Sequence, residues 1–147
     1  MIKFKKVLIP IDFSDFSKQA ISTCSTLFAS DDPIEFHFVY VWRLPSDYVT
    51  WTTDPKPEMQ EKLETFVAEF EHAGEHTRHI KLLTGHPAMA ICDYASEHEC
   101  DLIALATHGR TGIAHLLIGS TAEQVVRHAP CPVLSLRLPK GDVTHFG

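Results

Sequence analysis

Leu102-Ile103-Ala104-Leu105-Ala106-Thr107-His108-Gly109-Arg110-Thr111-Gly112, completed by Gly119-Ser120-Thr121, is the stretch on which the reading of this chain turns. An apolar run feeds a glycine-bearing loop, and Ser120-x-x-Glu123 then has the pattern of a capping box that opens a helix. A strand that delivers such a loop to a helix start is how many α/β proteins hold phosphate, because free N–H groups and the helix dipole both face the anion. The loop is therefore a candidate nucleotide site. The same residues also fit ordinary turn and capping chemistry, so the pattern alone leaves both readings open.

On either side of that stretch the chain alternates strand and helix signals. Val7-Leu8-Ile9 reads as a buried strand, and Ala20, Ile21, Cys24, Leu27 and Phe28 follow at helical spacing with Ser14 as cap. Phe36 to Trp42 is β-prone, and Met59, Leu63, Phe66, Val67 and Phe70 mark a second amphipathic helix. His79 to Leu83 is the third strand; Gly85-His86-Pro87 puts a proline at a first helical position, and Ala88, Ile91, Cys92 and Ala95 form an inward face. Leu102 to Leu105, Ser120 to His128 and Pro132 to Leu136 complete the series as strand, helix and strand. Strands interleaved with helices in this way predict an α/β fold with a parallel sheet covered on both faces.

At 147 residues the chain fits a single domain over 1–147, with a core over about 5–137 and a short tail over 138–147. Lys and Arg total 13 against 19 Asp and Glu, a net charge of −6, which argues against nucleic acid or anionic membrane as partner. Any phosphate must then be held by local, oriented donors. No run approaches membrane-spanning length and no secretory leader is legible, so a cytoplasmic protein is expected. Cys24, Cys92, Cys100 and Cys131 form no C-x-x-C pair and read as reduced core or near-core thiols, which disfavours zinc. His72 and His76 stand at i, i+4 with His79 behind, but the segment reads as a polar helix end, and no metal site is expected there. His37 and Tyr40 read as strand residues near a sheet edge.

Two segments interrupt the alternation. Pro10 lacks the N–H that a central strand uses, so the ladder is expected to end or bulge there, just before Asp12. Arg43 to Pro57 is too long for a simple connection, with Tyr48 and Trp51 among three prolines, and reads either as an irregular crossover or as a lid. Doubly wound sheets bind ligands outside the carboxyl ends of their strands, where the strand order reverses. If the first and fourth strands are neighbours, Asp12 faces the glycine loop across that crevice, where its carboxylate suits a ribose hydroxyl or an adenine amino group. Asp12 equally suits the start of the following helix, whose dipole it complements.

Val7-Leu8-Ile9-Pro10-Ile11-Asp12-Phe13-Ser14, Gly85-His86-Pro87-Ala88, the loop from Ala106 to Gly112, Gly119-Ser120 and His128-Ala129-Pro130-Cys131-Pro132-Val133-Leu134, in that order, resemble the universal stress proteins. The resemblance runs from about Lys5 to Arg137. It implies a three-layer sandwich: a five-stranded parallel sheet of order 3-2-1-4-5 with two helices on each face. It also implies a homodimer paired through the last strand, here Val133, Leu134, Ser135 and Leu136, and a stress-response role read by an unnamed downstream protein.

ATP-binding members of that family have G-x-x-G, nine residues, then G-[S/T]. Gly109 matches the second glycine, nine residues from Arg110 to Ile118 intervene, and Gly119-Ser120 closes the pattern, while Ala106 stands in place of the first glycine. The methyl matters little if Ala106 is still extended as the last residue of its strand. The resemblance assigns Pro10, Ile11, Asp12, Val41, Leu105, Ala106, His108, Gly109, Arg110, Gly119, Ser120 and Thr121 to the shell of an adenine nucleotide, ATP with or without Mg²⁺. No catalytic residue is assigned. His108 is the obvious group for slow hydrolysis. The alternatives are a family member that has lost the nucleotide and serves as a scaffold or chaperone, and a slow ATPase.

Overall fold

The computed structural model describes residues 3–29, 32–43, 56–70, 76–107 and 118–137. Strands β1 (Lys6–Pro10), β2 (Glu35–Trp42), β3 (Thr77–Thr84), β4 (Leu102–Ala106) and β5 (Val133–Leu136) alternate with helices α1 (Asp15–Leu27), α2 (Lys56–Ala68), α3 (Pro87–Glu97) and α4 (Ser120–His128). All pairings are parallel and the sheet order is β3-β2-β1-β4-β5. This is the α/β architecture that the alternation of periods predicted.

Period-two alternation along the strands sends neighbouring residues to opposite faces. Val7, Ile9, Phe36, Phe38, Leu102 and Ala104 pack with Ile21 and Cys24 of α1 and Leu63, Phe66 and Val67 of α2. Leu8, Val39, Val41, Ile103 and Leu105 pack with Ile91, Tyr94 and Ala95 of α3 and Ala122 and Val125 of α4. Two helices therefore cover each face. Each large aliphatic or aromatic side chain so removed from water contributes about 1.5–3 kcal/mol, which outweighs the weak intrinsic helix tendency of these short segments. Leu27 has helical spacing but faces solvent at 57% exposure, whereas Phe28, just past the helix, packs edge-on against Phe4 and Phe36.

The caps follow the sequence closely at two helices. Ser14 caps α1, its side chain accepting from Ser17 N–H at 3.2 Å, and Pro87 opens α3 behind an extended His86. Cys24, Cys92 and Cys100 are buried, Cys131 is half-buried, and all four are free thiols. Burial pushes the Cys24 thiol up to about 12 and the Cys100 thiol up to about 11, so both are uncharged at neutral pH. His37 is a buried polar side chain at 3% exposure, with Nδ1 2.7 Å from the Tyr94 hydroxyl. Burial first, then neighbouring His79, lower the His37 pKa against the opposing pull of Glu35. No described helix is long and apolar enough to cross a membrane.

Candidate functional site

β1 and β4 lie side by side, but the helix that follows β1 packs on one face of the sheet and the helix that follows β4 packs on the other. Chain leaving two adjacent strands in opposite directions opens a crevice at their carboxyl ends. A cleft of 660 Å³ lies there, within the range of about 300–1,000 Å³ usual for small-molecule sites. Pro10, Ile11 and Asp12 from the first strand's exit, Val41 from β2, Leu105 and Ala106 from β4, and Gly119, Ser120 and Thr121 from the start of α4 all line it. Asp12 and the α4 start thus share one hollow. His108, Gly109 and Arg110 fall outside the described residues.

Pro10 ends β1 as the missing N–H required, and the ladder to β2 closes one residue later with Ile11 N–H donating to Val39 C=O at 2.8 Å. The odd-numbered residues of β2 turn their peptide groups toward β1, so the next donor and acceptor on that side belong to Val41, past the end of β1. Asp12 sits where the chain turns into α1. Its Oδ1 accepts from Ser14 N–H at 3.0 Å, from the Ser17 hydroxyl at 2.6 Å and from the Ser14 hydroxyl. The helix-start role is therefore filled by one carboxylate oxygen. Phe13 next to it has φ 65°, a left-handed conformation that costs a bulky residue free energy. Its ring is held by Tyr40 at 4.7 Å, Phe66 at 5.4 Å and the Lys62 ammonium at 4.3 Å. Packing of Phe13 thereby fixes the turn that presents Asp12 to the cleft.

At α4 the capping-box expectation gives way. Gly119, not Ser120, is the N-cap, no side chain caps the helix, and Glu123 instead pairs with Arg127 at 2.9 Å. The reason lies across the loop: Gly119 N–H donates to Thr107 C=O at 2.6 Å, tying the two ends of the loop and fixing where the helix begins. The first-turn amides of a helix have no intrahelical acceptor, so the N–H groups of Ser120, Thr121 and Ala122 are left to the cleft that these residues line. Ala106 is the last residue of β4, in register with Leu136, and is not among the described residues with positive φ. Its methyl adds bulk to the cleft without backbone strain.

Residues 3–137 match the Universal stress protein family. The chain belongs to the universal stress protein family. It is 33% identical to a universal stress protein of Methanocaldococcus jannaschii over 95% of this chain and 85% of that one. The fold is shared with an Arabidopsis thaliana universal stress protein with AMP bound (TM-score 0.66, 20% identity, 96% of each chain covered). It is shared too with a universal stress protein solved in complex with cAMP (TM-score 0.66, 19% identity, 92% of this chain and 99% of that chain).

Several residues of this universal stress protein line the cleft without having been assigned to the ligand shell from sequence: Tyr40, Trp42 and Arg43 at the end of β2, Thr107 after β4, and Ser17, Pro87 and Ile91 from helices. The first four follow from the rule that strand carboxyl ends border the crevice. The helix residues carry no signal in one dimension, since only tertiary packing brings α3 to the cleft. Of the histidine trio His72, His76 and His79, His76 Nδ1 accepts from Ile34 N–H at 3.1 Å, and His72 lies outside the described residues.

Proposed function

We propose that this universal stress protein binds an adenine nucleotide, ATP with Mg²⁺ in the first instance, and works as a regulatory module whose bound state a partner protein reads. The observation that carries the reading is the uncapped start of α4 opening into the same cleft as Asp12. Phosphate suits the free amides of Ser120, Thr121 and Ala122, with the Ser120 hydroxyl available to a phosphate oxygen or a Mg²⁺-linked one, while Gly119, its N–H spent on Thr107 C=O, sets where those amides begin. Ribose suits the Asp12 carboxylate, whose Oδ2 makes no hydrogen bond among the described residues. Adenine suits the Val41 peptide group beyond the end of β1, with Pro10, Ile11 and Leu105 beside it. The AMP and cAMP held by the two relatives support the same ligand class.

His108, Gly109 and Arg110 enter this reading from the sequence motif, as groups that border the phosphates. No catalytic residue is assigned, and binding rather than turnover is the activity proposed. Homodimerisation through Val133 to Leu136 is supported by the position of β5 at the edge of the sheet, where its outer peptide groups await a partner. The reading is tested by purifying the protein without added nucleotide, releasing bound small molecules for mass spectrometry, and titrating ATP, ADP, AMP and cAMP. Recovery or binding of an adenine nucleotide is expected. A protein that releases none and binds none at millimolar concentration is instead the nucleotide-free scaffold, the reading favoured by a cleft-lining Ala106 where the family's ATP motif has glycine.

A further inference from the structure

At the other end of the sheet, near the amino ends of β2 and β3, three side chains converge that the nucleotide reading does not use. His37 and His79 are direct neighbours in the β2–β3 register, and Glu35 precedes His37 by two residues, which puts all three on one face of the sheet. The imidazoles stack with centroids 4.4 Å apart and planes 18° from parallel. Both Nε2 atoms approach the same carboxylate oxygen, Glu35 Oε2, at 3.5 Å from His37 and 3.6 Å from His79. The three donor atoms all lie within 4.8 Å of one another.

We propose that Glu35, His37 and His79 form a three-ligand site for a divalent transition-metal ion of zinc-like chemistry, tying edge strand β3 to β2. Two carboxylate–imidazole hydrogen bonds would be the plain explanation of the cluster, but charge-assisted hydrogen bonds are shorter, about 2.7–2.9 Å. Zinc bonds of about 2.0–2.1 Å at tetrahedral angles put ligand atoms about 3.3 Å apart, close to the 3.5 and 3.6 Å that separate Glu35 Oε2 from the two imidazole nitrogens. His37 Nε2 is buried and has no hydrogen-bond partner, a state that polar atoms in protein interiors rarely keep. A metal ion satisfies it. Its other nitrogen, Nδ1, faces the Tyr94 hydroxyl at 2.7 Å, the outer contact that usually orients a metal-bound imidazole.

The chemistry of the donor set selects the ion. Two imidazoles and one carboxylate suit zinc and its first-row neighbours, whereas calcium and magnesium prefer all-oxygen shells. His79 and Glu35 are 46% and 42% exposed, so the fourth position opens to water. His37 is fixed in the core and the two half-exposed ligands can close on the ion by side-chain rotation.

The test uses the full chain, free of any affinity tag, stripped with a chelator and titrated with Zn²⁺ against a competing indicator, with Co²⁺ absorption reporting coordination number. One equivalent of Zn²⁺ per chain and the intense visible bands of four-coordinate Co²⁺ are expected. Because His37→Ala opens a core cavity and can unfold the protein, the decisive variants are His79→Ala and Glu35→Gln. Each should weaken Zn²⁺ binding by about tenfold or more, the least that disturbing even an outer partner of a metal ligand commonly costs. His128→Ala, on the exposed end of α4, should leave binding unchanged. Absence of a stoichiometric site, or affinity retained in either decisive variant, overturns the proposal.

Discussion

At the carboxyl end of the sheet the groups that face the cleft are mainly backbone: the Ser120, Thr121 and Ala122 amides and the Val41 peptide, with one carboxylate, Asp12, held in place by Ser14 and Ser17. At the amino end the convergent groups are all side chains: Glu35, His37 and His79, brought together by strand register. The contrast follows from topology. Chain diverging from β1 and β4 frees peptide groups that a continuous sheet would have used, so a cleft there recognises a ligand by main chain and tolerates many side chains. Within the paired strands the peptides of Glu35, His37 and His79 lie in the β1–β2 and β2–β3 ladders, and their side chains remain to do chemistry. A backbone site is sensitive to bulk and a side-chain site to atom type.

The largest expected effect breaks the first half of that contrast. Gly119 has φ −66° and ψ 155°, angles open to any residue, so Gly119→Val keeps the fold while pushing a branched side chain toward the amides of α4. Loss of one or two hydrogen bonds to a charged phosphate, about 3 kcal/mol, should weaken nucleotide binding about a hundredfold in calorimetry. Unchanged affinity would mean that the α4 amides do not hold the ligand. Asp12→Ala comes next. Because Oδ1 accepts three hydrogen bonds at the start of α1, this variant should lose about 1–2 kcal/mol of stability on urea unfolding as well as affinity. Asp12→Asn keeps an acceptor oxygen for the helix start and should recover most of the stability but not the affinity, which separates the two roles of the one residue.

How legible each end was follows from the same distinction. Strand and helix periods, Ser14, Pro87 and the position of Pro10 are local facts, and the structure reproduces them because the buried faces match the local preferences. Asp12 and the α4 start meet in one cleft, as the order of strands required once β1 and β4 were neighbours. The span of α4 from Ser120 to His128 was read correctly, but Ser120 does not cap it, because the Gly119–Thr107 hydrogen bond, which spans the loop, sets Gly119 at the start of α4. His37 and His79 are 42 residues apart (79 − 37), and nothing in their flanking sequence announces that β2 and β3 pair in the register that makes them neighbours. His72 and His76, whose helical spacing drew notice, offered a pattern without a meeting place.

Smaller effects sharpen the comparison. If the Ala106 methyl only narrows the cleft, Ala106→Gly should tighten nucleotide binding by less than about tenfold, the strand end being extended already and no strain awaiting relief. Glu123→Ala should cost only a few tenths of a kcal/mol, since its exposed pairing with Arg127 is an i, i+4 surface contact and not half of a capping box. A loss above about 1 kcal/mol in thermal unfolding would restore the box that the sequence pattern predicted.

The smallest effect expected is none, and it concerns the two ends together. From Glu35 to Val41 is six residues of strand (41 − 35), about 20 Å at the usual rise per residue. Between them β2 is paired with β3 throughout and with β1 as far as Val39, and its side chains are packed into both cores, so the connection is rigid in the sense that it offers one arrangement rather than two. Coupling between sites requires an element with two arrangements that both ligands bias, and by linkage any effect of one ligand on the other must be mutual. Saturating Zn²⁺ should therefore change nucleotide affinity by less than about twofold, and saturating nucleotide should change Zn²⁺ affinity equally little. A mutual change of tenfold would mean that the two ends are parts of one device, with β2 or α3 shifting between them, and the division into a backbone site and a side-chain site would then describe two contacts of a single switch.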